Sequence, residues 1–265
     1  MPHDRDPVRR GRVQLVGAGP GAADLLTLRA LRAIESADVI LYDALVGDEI
    51  RAFFPASARA IATGKRGHRA STSQDFINRL MVRFARTGAT VVRLKGGDPS
   101  IFGRAAEERA FVEAQGIDVD IIPGITTASA AAAQFGFSLT ARQRARRVIF
   151  ATGRTLDGAA ESWRAAADPE TTLCLYMGCA DISAIAARLI AAGLDGNTPA
   201  LAALDVSRAG ASLIRSTLAG LPADLSNVSS GAPVFICIGA VAADASEQHL
   251  PEQQEILLAA QGMSR

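Results

Sequence analysis

Asp98 follows two glycines, Gly96 and Gly97, and precedes Pro99, where an apolar run (Val91, Val92, Leu94) ends. Paired glycines leave backbone bare for a ligand, and a carboxylate beside them can accept hydrogen bonds from a hydroxyl or an ammonium. A few residues on, Arg104 and Glu107 share one face of a predicted helix. An arginine can grip an anionic substrate, and a carboxylate oriented by it can take a proton. The plainer alternative is a helix-surface ion pair between the two. A strand that breaks into Gly-Gly-Asp-Pro places all of this at the carboxyl edge of a sheet, where open α/β folds bind small ligands.

A second glycine cluster, Gly17-Ala18-Gly19-Pro20-Gly21, follows the first predicted strand. Read as Gly17-x-Gly19-x-x-Ala22, it matches the dinucleotide fingerprint, with Asp43 available as a ribose acid. Two features oppose NAD. Pro20 lacks the amide N–H that would cradle a pyrophosphate, and the following helix is expected to start only near Thr27.

The elements that must position these residues alternate. Val13–Val16, Val39–Tyr42, Ala60–Ala62, Val91–Leu94 and Val119–Ile122 read as strands. Thr27–Ala37, Ser73–Arg86 and Arg104–Gln115 read as the crossover helices that parallel strands require, with Thr27 as a cap. Beyond the polar, arginine-rich stretch Thr140–Arg147, further strands are expected at Val148–Ala151, Thr172–Tyr176, Ala200–Leu204, Ser212–Ser216 and Val234–Ile238. One long helix, Ser183–Ala192, lies among them. The expectation is an α/β protein of two domains: a tail over 1–12, a parallel α/β domain over 13–138, a smaller mixed, partly antiparallel domain over 139–243, and a tail over 244–265. Pro251 is placed to open a helix in that last tail.

Composition narrows the function classes. A net charge of +1 and only 5% aromatic residues argue against nucleic acid as a partner. The three cysteines (Cys174, Cys179, Cys237) and three histidines show no metal-ligand spacing, so no metal is expected. Reduced, buried thiols suit the cytoplasm. The start, MPHDRDPVRRGR, lacks the apolar stretch of a signal peptide, and no apolar run reaches membrane-spanning length.

The motifs GAGPG (17–21), DLLTLRA (24–30), ADVILYD (37–43), GKR (64–66), VVRLKGGDPSIFGR (91–104), PGIT (123–126), LT-x-R (139–142), TGR (152–154) and YMG (176–178) occur in that order. Together they resemble the tetrapyrrole methylase family, in particular its uroporphyrinogen-III C-methyltransferases, over roughly Val13 to Val241. The resemblance implies the tetrapyrrole methylase fold: two α/β domains with a cofactor cleft between them, assembled as a homodimer. It implies S-adenosyl-L-methionine as methyl donor, S-adenosyl-L-homocysteine as its product, and a tetrapyrrole substrate, uroporphyrinogen III, converted to precorrin-2. Carried over residue by residue, the cofactor site comprises Pro20, Gly96, Gly97, Asp98, Ile101, Thr126, Thr127 and Met177. The polar groups at the substrate end are Asp43, Lys65, Arg104, Glu107 and Arg142. Glu107 is the first choice for the base that removes the final proton, and Asp43 the second.

The chain departs from the family pattern near the substrate. Ala44 stands where an arginine is usual, and Ala105 and Ala106 replace two glycines. Ala141 and Gln143 replace a histidine and an aspartate, and an acidic-x-Gly-Thr segment reads Leu204-Asp205-Val206-Ser207. Three readings therefore stand beside one another: the uroporphyrinogen-III enzyme, a methyltransferase of another precorrin, and a catalytically weakened binder of S-adenosylmethionine or a tetrapyrrole.

Overall fold

β-branched and aliphatic runs form the first sheet: β1 (Arg12–Gly17), β2 (Val39–Tyr42), β3 (Arg59–Ala62), β4 (Thr90–Lys95) and β5 (Asp118–Ile122). Their order is β3-β2-β4-β1-β5, and every neighbouring pair is parallel. Parallel pairing demands crossovers, supplied here by α1 (Leu28–Glu35), the short α2 (Asp48–Arg51), α3 (Gln74–Ala85) and α4 (Ala105–Glu113). The structure, a computed structural model, describes residues 11–64, 73–153, 160–228 and 231–246. The expected helix after Pro251 lies outside them.

Strand alternation sends side chains to two faces, and each face has its own helices. On one face Ala30, Ala33 and Ile34 of α1 cluster with Val16, Ile40, Val92, Leu94 and Ile122. On the other, Ile77, Met81 and Val82 of α3 and Ala105 and Val112 of α4 cluster with Val13, Leu15, Leu41 and Val91. Each large side chain fully buried here contributes about 1.5–3 kcal/mol. The helix starts are capped as their residue types require: Thr27 Oγ1 accepts from Ala30 N at 3.1 Å, and Ser73 Oγ from Phe76 N at 3.2 Å.

The chain divides into two compact units, Met1–Thr126 and Thr127–Arg265. This division comes ahead of the expected 138/139 boundary, because the alanine-rich run Thr127–Gln134 forms a helix, α5, whose partners lie in the second unit. Ala128 N donates to Tyr176 Oη at 3.2 Å, and Gln134 Oε1 accepts from Ser207 N at 2.8 Å.

The second unit carries a mixed sheet in the order β6-β7-β10-β8-β9. Its strands are β6 (Arg147–Thr152), β7 (Thr171–Tyr176), β8 (Pro199–Leu204), β9 (Ser212–Thr217) and β10 (Val234–Ile238). Only β6 and β7 pair in parallel; the others are antiparallel. The helices α6 (Ala160–Ala166), α7 (Ile182–Ala191) and α8 (Leu221–Asp224) cover one face. There Trp163, Ile185, Leu189 and Leu221 cluster with Leu173, Leu175, Ala202 and Ile236.

Candidate active site

The strand order locates a crevice in the first sheet. From β1 the chain crosses over β4 to reach β2, whereas from β4 it crosses over β1 to reach β5. Connections from two adjacent strands thus leave in opposite directions, and their carboxyl ends part at the switch point where α/β sheets take ligands. Both glycine-rich loops lie at this point. Gly97 N donates to Gly19 O at 2.7 Å, and Gly19 N donates to Gly97 O at 3.2 Å.

Glycine is needed here for two distinct reasons. At Gly17 and Gly124 the backbones of neighbouring strand ends touch: a methyl on Gly17 would lie 2.5 Å from Gly124 N, and one on Gly124 would lie 2.3 Å from Gly97 O. At Gly97 the space is open, but φ is +69°, which side chains resist. Bare backbone therefore faces open space at Gly97, a cradle suited to a ligand. Asp98 holds the turn in shape. Its Oδ1 accepts from Ser100 N (2.7 Å) and Ser100 Oγ (2.6 Å), and its Oδ2 accepts from Gly124 N at 3.0 Å. Pro20, Ile101 and Thr126 are half-buried, in the loops that follow β1, β4 and β5.

Beneath the ends of β2, β3 and β4 lies an ionic cluster that a reading of apolar positions passes over. Arg93 and Lys95 project from one face of β4 and are only 3% and 4% exposed. Glu108 of α4, fully buried, bonds both: Arg93 Nε to Oε1 at 3.2 Å and Lys95 Nζ to Oε2 at 2.9 Å. Gln74 Nε2 of α3 donates to Glu108 Oε1 at 2.9 Å. Arg93 Nη1 reaches Thr63 Oγ1 at 3.0 Å, and Nη2 reaches Asp43 Oδ1 at 2.5 Å. Burial, and next the Arg93 charge, push the Lys95 ammonium below the ordinary lysine range against the pull of Glu108. Two signals could have disclosed the cluster. Cations at alternate positions of a strand buried on both faces must be paired, and Glu108 falls in helical phase with Ala105 and Val112.

The residues expected at the substrate end fall into different settings. Asp43 sits at the end of β2, with its side chain 29% exposed. Arg104, in the left-handed conformation at φ 58°, precedes α4. It grips Glu107 with Nε to Oε1 at 3.1 Å and Nη2 to Oε2 at 2.6 Å, both side chains being exposed. That hydrogen bond, ahead of the arginine's charge, holds the Glu107 carboxyl below the usual carboxylate range. Arg142 is exposed in the short loop closed by the Ala141–Ala145 bridge. Lys65 lies outside the described residues. Arg144 and Arg147 are exposed and ion-paired, with Asp244 and Asp168 respectively.

The second unit has its own sheet edge with strained backbone. Met177, just after β7, has φ 53° and is 68% exposed. Tyr176 before it is fixed by edge-to-face contacts with Phe150 and Phe235 and by its bond to α5, whose first residue is the half-buried Thr127. Asp205 (φ 46°) and Ser207 (φ 60°), in the turn after β8, are also left-handed. A side chain held in such a conformation costs of order 1–3 kcal/mol, and such strain gathers at ligand sites. Among the described residues no group of acidic, histidine and cysteine side chains is arranged to hold a metal.

Known proteins share this architecture. A uroporphyrinogen-III C-methyltransferase of Pseudomonas aeruginosa is 44% identical to the chain, over 90% of the chain and 97% of that protein. One of Paracoccus denitrificans is 44% identical over 92% of the chain and 85% of its own length. The crystal structure of uroporphyrin-III C-methyltransferase from Thermus thermophilus, complexed with S-adenosylhomocysteine, superposes with a TM-score of 0.74 at 35% identity. It covers 88% of this chain and 99% of that one. The family model of the tetrapyrrole (corrin/porphyrin) methylases matches residues 12–222, so the chain belongs to the tetrapyrrole methylase family.

Proposed function

We propose that the chain methylates uroporphyrinogen III at C2 and C7, using S-adenosyl-L-methionine and releasing S-adenosyl-L-homocysteine and precorrin-2. The observation that carries this reading is the near full-length likeness to enzymes of that name. It is supported by the intact glycine crevice between β1 and β4. The open side of Gly97 fits a cofactor that approaches backbone closely.

The donor supplies a methyl group on a sulfonium, already activated for transfer to an electron-rich pyrrole carbon. The protein's share of the work is alignment, which can lower the barrier by several kcal/mol. From the first unit Gly96, Gly97, the turn held by Asp98, Pro20, Ile101 and Thr126 are the cofactor-binding residues. Thr127 and Met177 are the second unit's candidates. Arg104, Arg142 and Lys65 supply cations for the carboxylates of the substrate. Methyl addition leaves a proton to be removed. Glu107 is poorly placed as base while Arg104 occupies both its oxygens, since neither is then open to take the proton. Asp43, with one oxygen engaged from below and part of its side chain open, is the better candidate.

The family resemblance supports action as a homodimer, and the free cysteines Cys174, Cys179 and Cys237 suit a reducing compartment such as the cytoplasm. No helix among the described residues is long and apolar enough to cross a membrane. Anaerobic incubation with uroporphyrinogen III and methyl-labelled S-adenosylmethionine should yield labelled precorrin-2. Measurable binding of S-adenosylmethionine without methyl transfer would favour a weakened binder. Transfer only to a later, already methylated precorrin would identify a related enzyme of different substrate.

A further inference from the structure

We propose that Arg93 is a positioning residue for methyl transfer: from below the sheet edge it holds the Asp43 carboxylate in one orientation toward the substrate. This rests on the proposed function and extends it to a residue that touches neither substrate nor cofactor.

The geometry has three parts. First, the guanidinium is fixed along its whole fork. Nε is bonded to Glu108, Nη1 to Thr63 Oγ1 and, at 3.4 Å each, to the carbonyls of Leu41 and Leu94. Only Nη2 points outward, and it meets Asp43 Oδ1 at 2.5 Å. An arginine so held has no rotamer freedom left, so the oxygen it grips is fixed as well.

Second, the charges balance only with Asp43 included. Arg93 and Lys95 are two cations; Glu108 is one anion, and Asp43 is the second. Buried ions are costly unless paired and fully hydrogen-bonded, so the cluster draws the aspartate carboxylate toward Arg93. Of these four side chains, three are 5% exposed or less, while Asp43 is 29% exposed. Of these four ionised side chains, Asp43 is the one that reaches the rim.

Third, the Asp43 backbone is already fixed: its N–H donates to Leu94 O at 3.2 Å and its carbonyl accepts from Val46 N at 3.1 Å. What remains free is the side-chain torsion, and Arg93 sets it. Among the described residues Oδ1 is the oxygen engaged, and Oδ2 is the proposed working oxygen.

A double-mutant cycle tests this, with kcat, KM for uroporphyrinogen III and the Kd of S-adenosylmethionine as readouts. Arg93→Lys keeps the charge but loses the fork. It should lower kcat by about 10–100-fold while leaving cofactor Kd unchanged. In an Asp43→Asn background, where the gripped carboxylate is gone, the same substitution should cost less than about threefold, because the two residues act as one unit. An equal loss in both backgrounds, or a parallel loss of cofactor affinity, would assign Arg93 to structure alone and overturn the proposal. If Arg93→Lys does not fold, Thr63→Val in the same cycle decides, by removing one partner of the guanidinium without changing charge. Its kcat loss should vanish in the Asp43→Asn background, and persistence there overturns the proposal. Absence of methyl transfer by the unaltered protein overturns the proposed function and this role together. An active protein with a multiplicative cycle overturns this role alone.

Discussion

At Gly97 a left-handed backbone and open space coincide, whereas at Gly124 a right-sized gap is missing altogether. The two glycines should therefore fail differently. Gly97→Ala meets no atom, so its cost in stability is the conformational one, about 1–2 kcal/mol. Its new methyl, however, projects into the space proposed for the cofactor, and S-adenosylmethionine affinity should fall by more than about tenfold, a loss of about 1.4 kcal/mol. Gly124→Ala would press a methyl against Gly97 O at 2.3 Å, and it should lower the melting temperature further than Gly97→Ala does. Calorimetric titration and thermal melts of the two variants check the pair. A Gly97→Ala protein with native cofactor affinity would show that nothing binds against that backbone.

At the scale of the element, α4 shows how helical phase divides labour between adjacent carboxylates. Ala105, Glu108 and Val112 share the buried face; Glu107, one residue earlier than Glu108, points outward with Arg104. Glu108 anchors α4 to β4 through two cations and to α3 through Gln74. Removing one partner from such a buried set leaves its cations uncompensated, and Glu108→Ala should cost about 3–5 kcal/mol in denaturant unfolding. Glu107→Ala, which breaks only an exposed pair, should leave the unfolding midpoint almost where it was. Equal destabilisation by the two substitutions would contradict the phase assigned to the helix. The alanines at 105 and 106, where the family pattern has glycines, fit this picture, since alanine favours the first turn that carries Glu108 inward.

For the whole molecule, the charge pairs predict how stability varies with pH. The carboxyls of Glu107, Asp168 and Asp244 lie below their usual range. The causes are hydrogen bonds: from Arg104, from Glu170 N and then Arg147, and from Arg144 respectively. A carboxyl lowered by folding contributes stability that is present above its unfolded pKa, about 3.9–4.3, and lost as pH falls through its folded value. Lys95 runs the other way. Its folded value lies below the unfolded one, so the native state binds fewer protons between the two and stability rises with pH up to about 10.4. The melting temperature should thus fall below about pH 4 and rise with pH on the alkaline side up to about 10.4. The fall should be shallower in high salt, because the acidic pairs are exposed and screened. Melts across pH at two salt concentrations test this, and a melting temperature unchanged down to pH 3 would refute it.

Much of the architecture was legible because it follows from local rules. Alternating apolar runs mark the strands, spacing marks α1, α3, α4 and α7, and Thr27 and Ser73 carry their caps in their own side chains. The Gly-Gly-Asp-Pro and Gly-Ala-Gly-Pro-Gly loops announce themselves by composition, and so did the family. The helix α5 was not visible, since an alanine-rich run has no amphipathic period to betray which unit it joins. What only the tertiary structure decided is how the polar residues are spent. Asp98 closes its own turn on Gly124, and Arg93, distant in sequence from Asp43, becomes its partner. The reason is strand order: β2 and β4 are neighbours because a crossover returns the chain between β2 and β1. No local pattern encodes which strand end will stand beside which.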